Sequence, residues 1–267
     1  RKESSAASDV YKRQGGYKEK GRGLSSHDFE TAGDIDKERQ ITLKLNNGTR
    51  GSIDYRDSIP DGAIPYIYDD IYYPSHQATD FYHHWKEDIA LFAEMGFKVY
   101  RFSISWARII PDGDGKVNQK GIDFYNKVID KLIEYDIIPF ITLYHFDLPY
   151  ALVEKYNGWE ARDCAYAFER YAKICFENFG DRVKYWVIHN EQNLMMRVDE
   201  RMNICETDPL KKEKIRAQMD YHMFLAHALA TNACHEAVEN GKIGPAVSST
   251  VTYPYTCLLY TSPSPRD

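Results

Sequence analysis

No run of apolar residues in this chain approaches the roughly 20 needed for a helix to cross a bilayer, so a membrane partner is not expected. Positive charge is also short. The 34 Lys and Arg face 40 Asp and Glu, and the formal charge of −6 argues against nucleic acid or an anionic surface as partner. Cysteine is sparse: five residues lie scattered without metal-ligand spacing. They read as reduced thiols in a cytoplasmic protein, and no metal is expected. The glycine-rich stretch 15–26 (GGYKEKGRGLSS) lacks the strand-to-helix setting that a phosphate-binding glycine motif needs, so no nucleotide or other cofactor is expected.

What the chain does contain is enough apolar material, 43% of 267 residues, to bury a sizeable core in one large domain or two small ones. Aromatics reach 14%, with 21 Tyr and 4 Trp. That richness suits a carbohydrate-binding cleft and suits a large barrel core equally well. Both ends fit the body poorly. Residues 1–14 (RKESSAASDVYKRQ) and 257–267 (CLLYTSPSPRD) resemble translated sequencing-adapter readthrough, and the Pro-containing run of the second would halt a strand where one should continue. The expected organisation is a foreign tail over 1–14, one incomplete catalytic domain over 15–256, and a second foreign tail over 257–267.

Within the body, residues 28–73 look irregular. Asn46-Asn-Gly-Thr and Ile59-Pro-Asp-Gly are turns, Ile41 to Leu45 suggests a hairpin, and no independent core is expected there. From Ala78 the pattern becomes regular. Phe81, Trp85, Ile89, Phe92 and Met95 recur at helical spacing until Gly96. A strand is predicted over 97–110, a helix over 119–135, a strand over 137–144, a helix over 159–179, a strand over 183–191, a helical region over 208–240 and a strand over 242–250. Strands alternating with helices at this spacing mean parallel βα units. Short apolar strands that end in polar clusters match a (β/α)8 barrel, with a doubly wound open sheet as the alternative.

The most informative strand is Val183-Lys-Tyr-Trp-Val-Ile-His-Asn-Glu191. Its β-branched and aromatic residues suit a buried pleated surface, and it ends on a carboxylate, as barrel enzymes place their catalytic groups. A solvated Glu opening a loop is the bland alternative. His145, ending the preceding strand, could equally be a satisfied structural histidine. Arg101 could form a buried structural ion pair. Trp106 and Phe146 could be core aromatics, Phe146 being the better cleft candidate, and Asp147, followed by Leu148-Pro149, reads as shaping its loop.

Longer blocks add weight. Asp80-Phe-Tyr-His-His-Trp-Lys-Glu-Asp-Ile-Ala-Leu-Phe-Ala-Glu-Met-Gly, Tyr100-Arg-Phe-Ser-Ile-Ser-Trp-Ala-Arg-Ile, Leu143-Tyr-His-Phe-Asp-Leu-Pro-Tyr-Ala-Leu and the strand-ending Asn190-Glu191 pair resemble glycoside hydrolase family one in order and spacing. The likeness covers about Gly15 to Thr256. It implies a fold class of α/β, a partial (β/α)8 TIM barrel holding roughly the second to fifth strands, and a parent enzyme that is a retaining β-glycosidase. By the same resemblance Glu191 would be the general acid/base, and Asn190 would hold the sugar's 2-hydroxyl. His145 would bond glycone hydroxyls, Arg101 would contact the nucleophile, and Phe146 would line the cleft. The family's sugar-binding Gln would fall before Gly15 and its nucleophilic Glu beyond Thr256, so this chain by itself is expected to be inactive.

Family members acting on unphosphorylated glucosides typically carry Trp where Phe146 stands and Pro where Gln192 stands. Both departures resemble the 6-phospho-β-glucosidase branch, which cleaves phosphorylated disaccharides in the cytoplasm after phosphotransferase uptake. The small-molecule partner is therefore a β-glucoside or a phosphorylated disaccharide. A plain β-glucosidase, a silent sugar-binding barrel and another barrel hydrolase with a strand-ending Asn-Glu remain the alternatives, and the oligomeric state is open.

Overall fold

The computed structural model describes residues 14–55, 57, 59–195, 206 and 208–249. The supposed tails therefore lie outside the described residues, apart from Gln14. That residue is buried: its Nε2 donates to the Ser103 carbonyl (2.7 Å), and its Oε1 accepts from the Tyr125 hydroxyl (2.7 Å).

Two sheets form. The first is small and antiparallel, with β1 (Gln40–Lys44) between β2 (Arg50–Asp54) and β3 (Ile64–Pro65). Asn46 to Thr49 closes the β1–β2 hairpin, as its turn residues predict, with Thr49 N–H on the Asn47 side chain. The expectation that this region has no core of its own is overturned. Phe29, Ile41, Leu43 and Ile59 form a separate buried cluster. Folding the hairpin back over residues 24–30 covers enough apolar surface to exclude water, which a turn-by-turn reading does not reveal. This unit sits beside the exit of the second sheet, through the Ser25–Pro149 bridge and the Phe29–Tyr150 ring contact at 4.6 Å.

The second sheet is parallel, with β4 (Val99–Ser103), β5 (Ile138–Tyr144), β6 (Tyr185–Asn190) and β7 (Lys242–Ala246) adjacent in chain order. Sequential order without a reversal excludes the doubly wound alternative, whose strand order must switch direction. Helices connect the strands: α1 (Phe81–Glu94) before β4, α2 (Gln119–Glu134) between β4 and β5, then α3 (Tyr150–Tyr156) and α4 (Arg162–Phe179) before β6, and α5 (Pro209–Ala237) before β7. The helix starting at Pro209 is capped by Asp208, whose carboxylate accepts from the Leu210 and Lys211 amides.

Helices cover the convex face. Phe92 of α1 packs at a tilt against Tyr100 at 4.8 Å, and Phe176 of α4 meets Trp186 edge-on at 4.9 Å. Where α5 crosses α4 its buried positions are mostly small, including Ala226, Ala230 and Ala233, which allows close approach.

Two boundaries differ from the sequence expectation. The strand predicted over 97–110 ends at Ser103, and Trp106–Ile109 coils into one helical turn. Trp106 is responsible: its ring stacks on Tyr171 at 5.2 Å, and its Nε1 donates to the Gly113 carbonyl. That burial pulls the chain off the sheet. The helix α3 was not anticipated, because seven residues give too short a period to read. Residue 250, the predicted end of the last strand, lies outside the described residues, and β7 ends at Ala246.

Candidate active site

Parallel strands point their C-terminal ends one way, so polar residues that end β4, β5 and β6 converge. Along β4, Val99, Arg101 and Ser103 alternate onto the concave face, while Tyr100 and Phe102 pack under the helices. The register pairs Arg101 with Phe140 and Ser103 with Thr142. Arg101 Nε consequently reaches Thr142 Oγ1 at 2.9 Å, and its Nη2 donates to Asn190 Oδ1 at 2.8 Å, spanning three strands.

That second bond sets the asparagine. A guanidinium can only donate, so the amide oxygen must face Arg101. Asn190, 3% exposed, then keeps its Nδ2 hydrogens without an acceptor among the described residues, as free donors for a ligand oxygen. Arg101 as a whole is exposed, yet partial screening from water lowers its guanidinium pKa, with the Glu191 charge opposing that shift.

Glu191 is half-buried and follows a register irregularity in β6 between Val187 and Asn190. Its φ of 48° lies in the left-handed region, which costs a non-glycine residue on the order of 1–3 kcal/mol. Two backbone bonds hold it there: its N–H donates to the Ala246 carbonyl of β7 (2.7 Å), and its carbonyl accepts from Leu194 N–H (2.9 Å). The strand end thus turns the carboxylate away from the direction the ladder would have given it.

His145 is half-buried beyond the end of β5, and its backbone N–H donates to Asp147 Oδ1 (3.3 Å). Phe146 contacts its ring edge-on at 5.0 Å, but is itself only 7% exposed and belongs to the main core. The structure therefore places Phe146 as a wall behind His145, because a left-handed backbone (φ 68°) turns its side chain inward. Asp147 has the loop-shaping place that its neighbours implied. Burial raises its carboxyl pKa, opposed by the charges of His27 and Arg22.

Sequence reasoning missed three participants. Thr142 was one, although a lone hydroxyl inside the apolar run Ile137–Leu143 was a signal. His189 was another: fully buried among Tyr144, Trp159 and Phe168, it has its pKa lowered to about 3 by burial and then by neighbouring His227. It stays neutral beneath Asn190. The third is the tie from Gln192 Nε2 to Asp220 Oδ1 of α5 (3.1 Å), which fastens the segment after Glu191 to a helix 28 residues on. Nothing local marks that pairing. Among the described residues no group of three His, Cys, Asp or Glu could hold a metal ion, and no helix is long and apolar enough to cross a membrane.

One half-buried carboxylate, a fixed amide with spare donors, a cation and an imidazole on neighbouring strand ends can exchange a proton with a polyhydroxylated ligand and orient it. Comparisons with known proteins identify what the chain is similar to. A 6-phospho-β-glucosidase of Escherichia coli is 44% identical over 191 residues, covering 71% of this chain and 40% of that protein. An aryl-phospho-β-D-glucosidase of Bacillus subtilis is 37% identical over 249 residues, 93% of this chain and 45% of that protein. The chain thus spans less than half the length of these curated relatives. Among solved structures, β-glucosidase from Thermotoga maritima in complex with deoxynojirimycin superposes with a TM-score of 0.70 at 34% identity, covering 94% of this chain and 49% of that one. The sequence profile of glycosyl hydrolase family 1 matches residues 67–259, which take in β4 to β7 and every strand-end residue described above. A partial (β/α)8 barrel with that profile over most of its length belongs to glycosyl hydrolase family 1.

Proposed function

We propose that this segment supplies the acid/base half of a retaining β-glycosidase acting on O-linked β-glucosides. Glu191 protonates the leaving oxygen and then activates water. A second carboxylate, contributed from outside the described residues, attacks the anomeric carbon at about 5–5.5 Å from the first. Asn190 Nδ2 binds the sugar's 2-hydroxyl, His145 bonds glycone hydroxyls, Phe146 backs His145, and Arg101 fixes Asn190 and holds positive charge near the nucleophile. The observation that carries the reading is the Arg101–Asn190 bond beside Glu191, which leaves donors free next to a carboxyl group.

The finer substrate is a 6-phospho-β-glucoside or phosphorylated disaccharide, which places the enzyme in the cytoplasm, where such sugars are formed on uptake. Phe146 and Gln192 support this, as do the phospho-glucosidase names of the E. coli and B. subtilis relatives. The test is a chimera in which residues 67–249 replace the matching segment of the B. subtilis relative. Glu191→Gln should depress hydrolysis of poor leaving groups far more than that of activated aryl glycosides, since only the former need the proton. Equal losses would refute the acid/base role. Phe146→Trp with Gln192→Pro should shift the kcat/KM ratio toward unphosphorylated substrate, and an unchanged ratio would return the reading to a plain β-glucosidase.

A further inference from the structure

The small antiparallel sheet has one apolar face and one polar face. Ile41 and Leu43 point into the satellite core, so Gln40, Thr42 and Lys44 of β1 point the other way, level with Asp54, Ser52 and Arg50 of β2. A cleft of about 540 Å³ lies against this polar face, within the range of small-molecule sites. Thr31 and Lys37 line it at the Gln40 end, and Tyr68 lines it at the Arg50 end, with Tyr72 beside them. The lining holds two cations, Lys37 and Arg50, and no carboxylate, in a chain whose formal charge is −6. Lys44 joins them on the same face against Asp54 and Asp70, so the local balance stays positive.

The cleft is built before any ligand arrives. At one end the Thr31 N–H donates to the Gln40 carbonyl (2.8 Å), and the Gln40 N–H donates back to Thr31 Oγ1 (3.1 Å). At the other, the Tyr68 hydroxyl donates to the Leu43 carbonyl (2.9 Å). The Arg50 guanidinium lies over the Tyr68 ring at 4.2 Å, and its Nη1 donates to both Asp70 oxygens (2.8 and 2.6 Å), which fixes its plane. Asp70 takes Nη1 alone. Arg50 Nε and Nη2, Lys37 Nζ, Ser52 Oγ and the Tyr72 hydroxyl have no partner among the described residues.

We propose that this cleft is a second, non-catalytic site that binds a phosphorylated disaccharide. Arg50 offers two adjacent N–H donors, the fork that grips a phosphate on two of its oxygens. Ser52, Gln40 and Lys37 follow along the strands and supply bonding groups for sugar hydroxyls. Tyr72, 64% exposed, offers a ring to a pyranose face. The distance from the Arg50 level to the Gln40 level is four strand steps, about 13 Å, which calls for an elongated ligand rather than a lone anion. All the lining residues fall between Thr31 and Tyr72, so none comes from the strand ends that carry Glu191. The inference shares its ligand class with the substrate proposed above and uses none of the acid/base chemistry.

Titration calorimetry of the 267-residue chain with sulfur-linked 6-phosphocellobiose, which resists hydrolysis, should show saturable binding that weakens as salt is added. Cellobiose and inorganic phosphate should each bind about tenfold more weakly, because each makes only part of the contacts. Arg50→Gln and Lys37→Gln should each cost about tenfold in affinity, whereas Lys120→Gln, at an exposed position on α2, should cost nothing. If the chain alone shows no folded circular dichroism, the same titrations on a chimera carrying residues 15–249 in place of the matching segment of the B. subtilis relative decide the question. In that chimera Arg50→Gln should remove one binding event and leave kcat/KM for an aryl 6-phospho-β-glucoside unchanged. Inorganic phosphate binding as tightly as the disaccharide overturns the proposal, as does binding that survives both Arg50→Gln and Lys37→Gln, or no saturable binding. A chimera that binds at the cleft without hydrolysing the aryl substrate upholds this site and counts against the Glu191 reading alone.

Discussion

Replacing His189 should change how stability responds to acid. The imidazole is fully buried, and ring centroids of Phe168, Trp159 and Tyr144 lie 4.9, 5.6 and 5.7 Å away. Its pKa falls from 6.5 to about 3 in the folded chain, chiefly because burial disfavours the cation. Between those values the unfolded chain binds a proton that the folded chain refuses. Stability is therefore fully present above 6.5 and falls as pH drops toward 3, at up to about 1.4 kcal/mol per pH unit. Between about pH 7 and pH 5 the loss from this one group is about 2 kcal/mol, and by about pH 3 it is about 4 kcal/mol. His189→Phe keeps an aromatic ring in the aromatic cage and removes the titration. Urea midpoints for both proteins, at one protein concentration and at both pH values, isolate the difference, since all other carboxyl and histidine contributions are shared. Wild type should lose about 2 kcal/mol more than His189→Phe. Equal losses would mean that His189 accepts a proton without leaving the core, and the neutral buried imidazole beneath Asn190 would be wrong.

Arg101→Met should leave Thr142 Oγ1 and the buried Asn190 Oδ1 without their donor and destabilise the chain by about 2 kcal/mol in urea unfolding; a wild-type midpoint would remove Arg101 from the network. Gly23→Ala should cost about 1–3 kcal/mol, because a Cβ there would stand 2.1 Å from the Pro111 carbonyl oxygen, and backbone on both sides must move; an unchanged midpoint would show that this contact is loose. Cys164, Cys175 and Cys234 are buried, and burial raises their thiol pKa values, so peptide mapping after native alkylation should find all three unlabelled until urea is added.

Much of the sheet was legible because helix and strand periods differ and the chain here is strongly patterned. Phe81, Ile89 and Phe92 placed α1, and Ile122, Tyr125, Ile129 and Leu132 placed α2 within a residue of its observed bounds. Glu191 stood out because a charged residue ending an apolar strand has no packing reason to be there. The errors have a different origin. The strand from β4 onward was overrun because Trp106 and Ile109 continue an apolar run that suits a strand and a buried helical turn equally. The cluster of Phe29, Ile41, Leu43 and Ile59 escaped notice because its members are up to thirty residues apart and meet only once the hairpin folds back.

The sequence by itself determined the βα alternation, the approximate ends of its helices, and which carboxylate sits at a strand tip, since each follows from residues that are neighbours along the chain. Only the tertiary structure decided what those tips can do. That Asn190 presents its nitrogen depends on Arg101, 89 residues earlier, and the path of the chain after Glu191 on Asp220 of α5. Phe146 became a wall because its backbone turned left-handed, and His189 lost its charge because three rings from other elements closed around it. Hydrogen-bond orientation and desolvation depend on distance in space, and the linear order of residues carries that distance only after folding has brought the strands together.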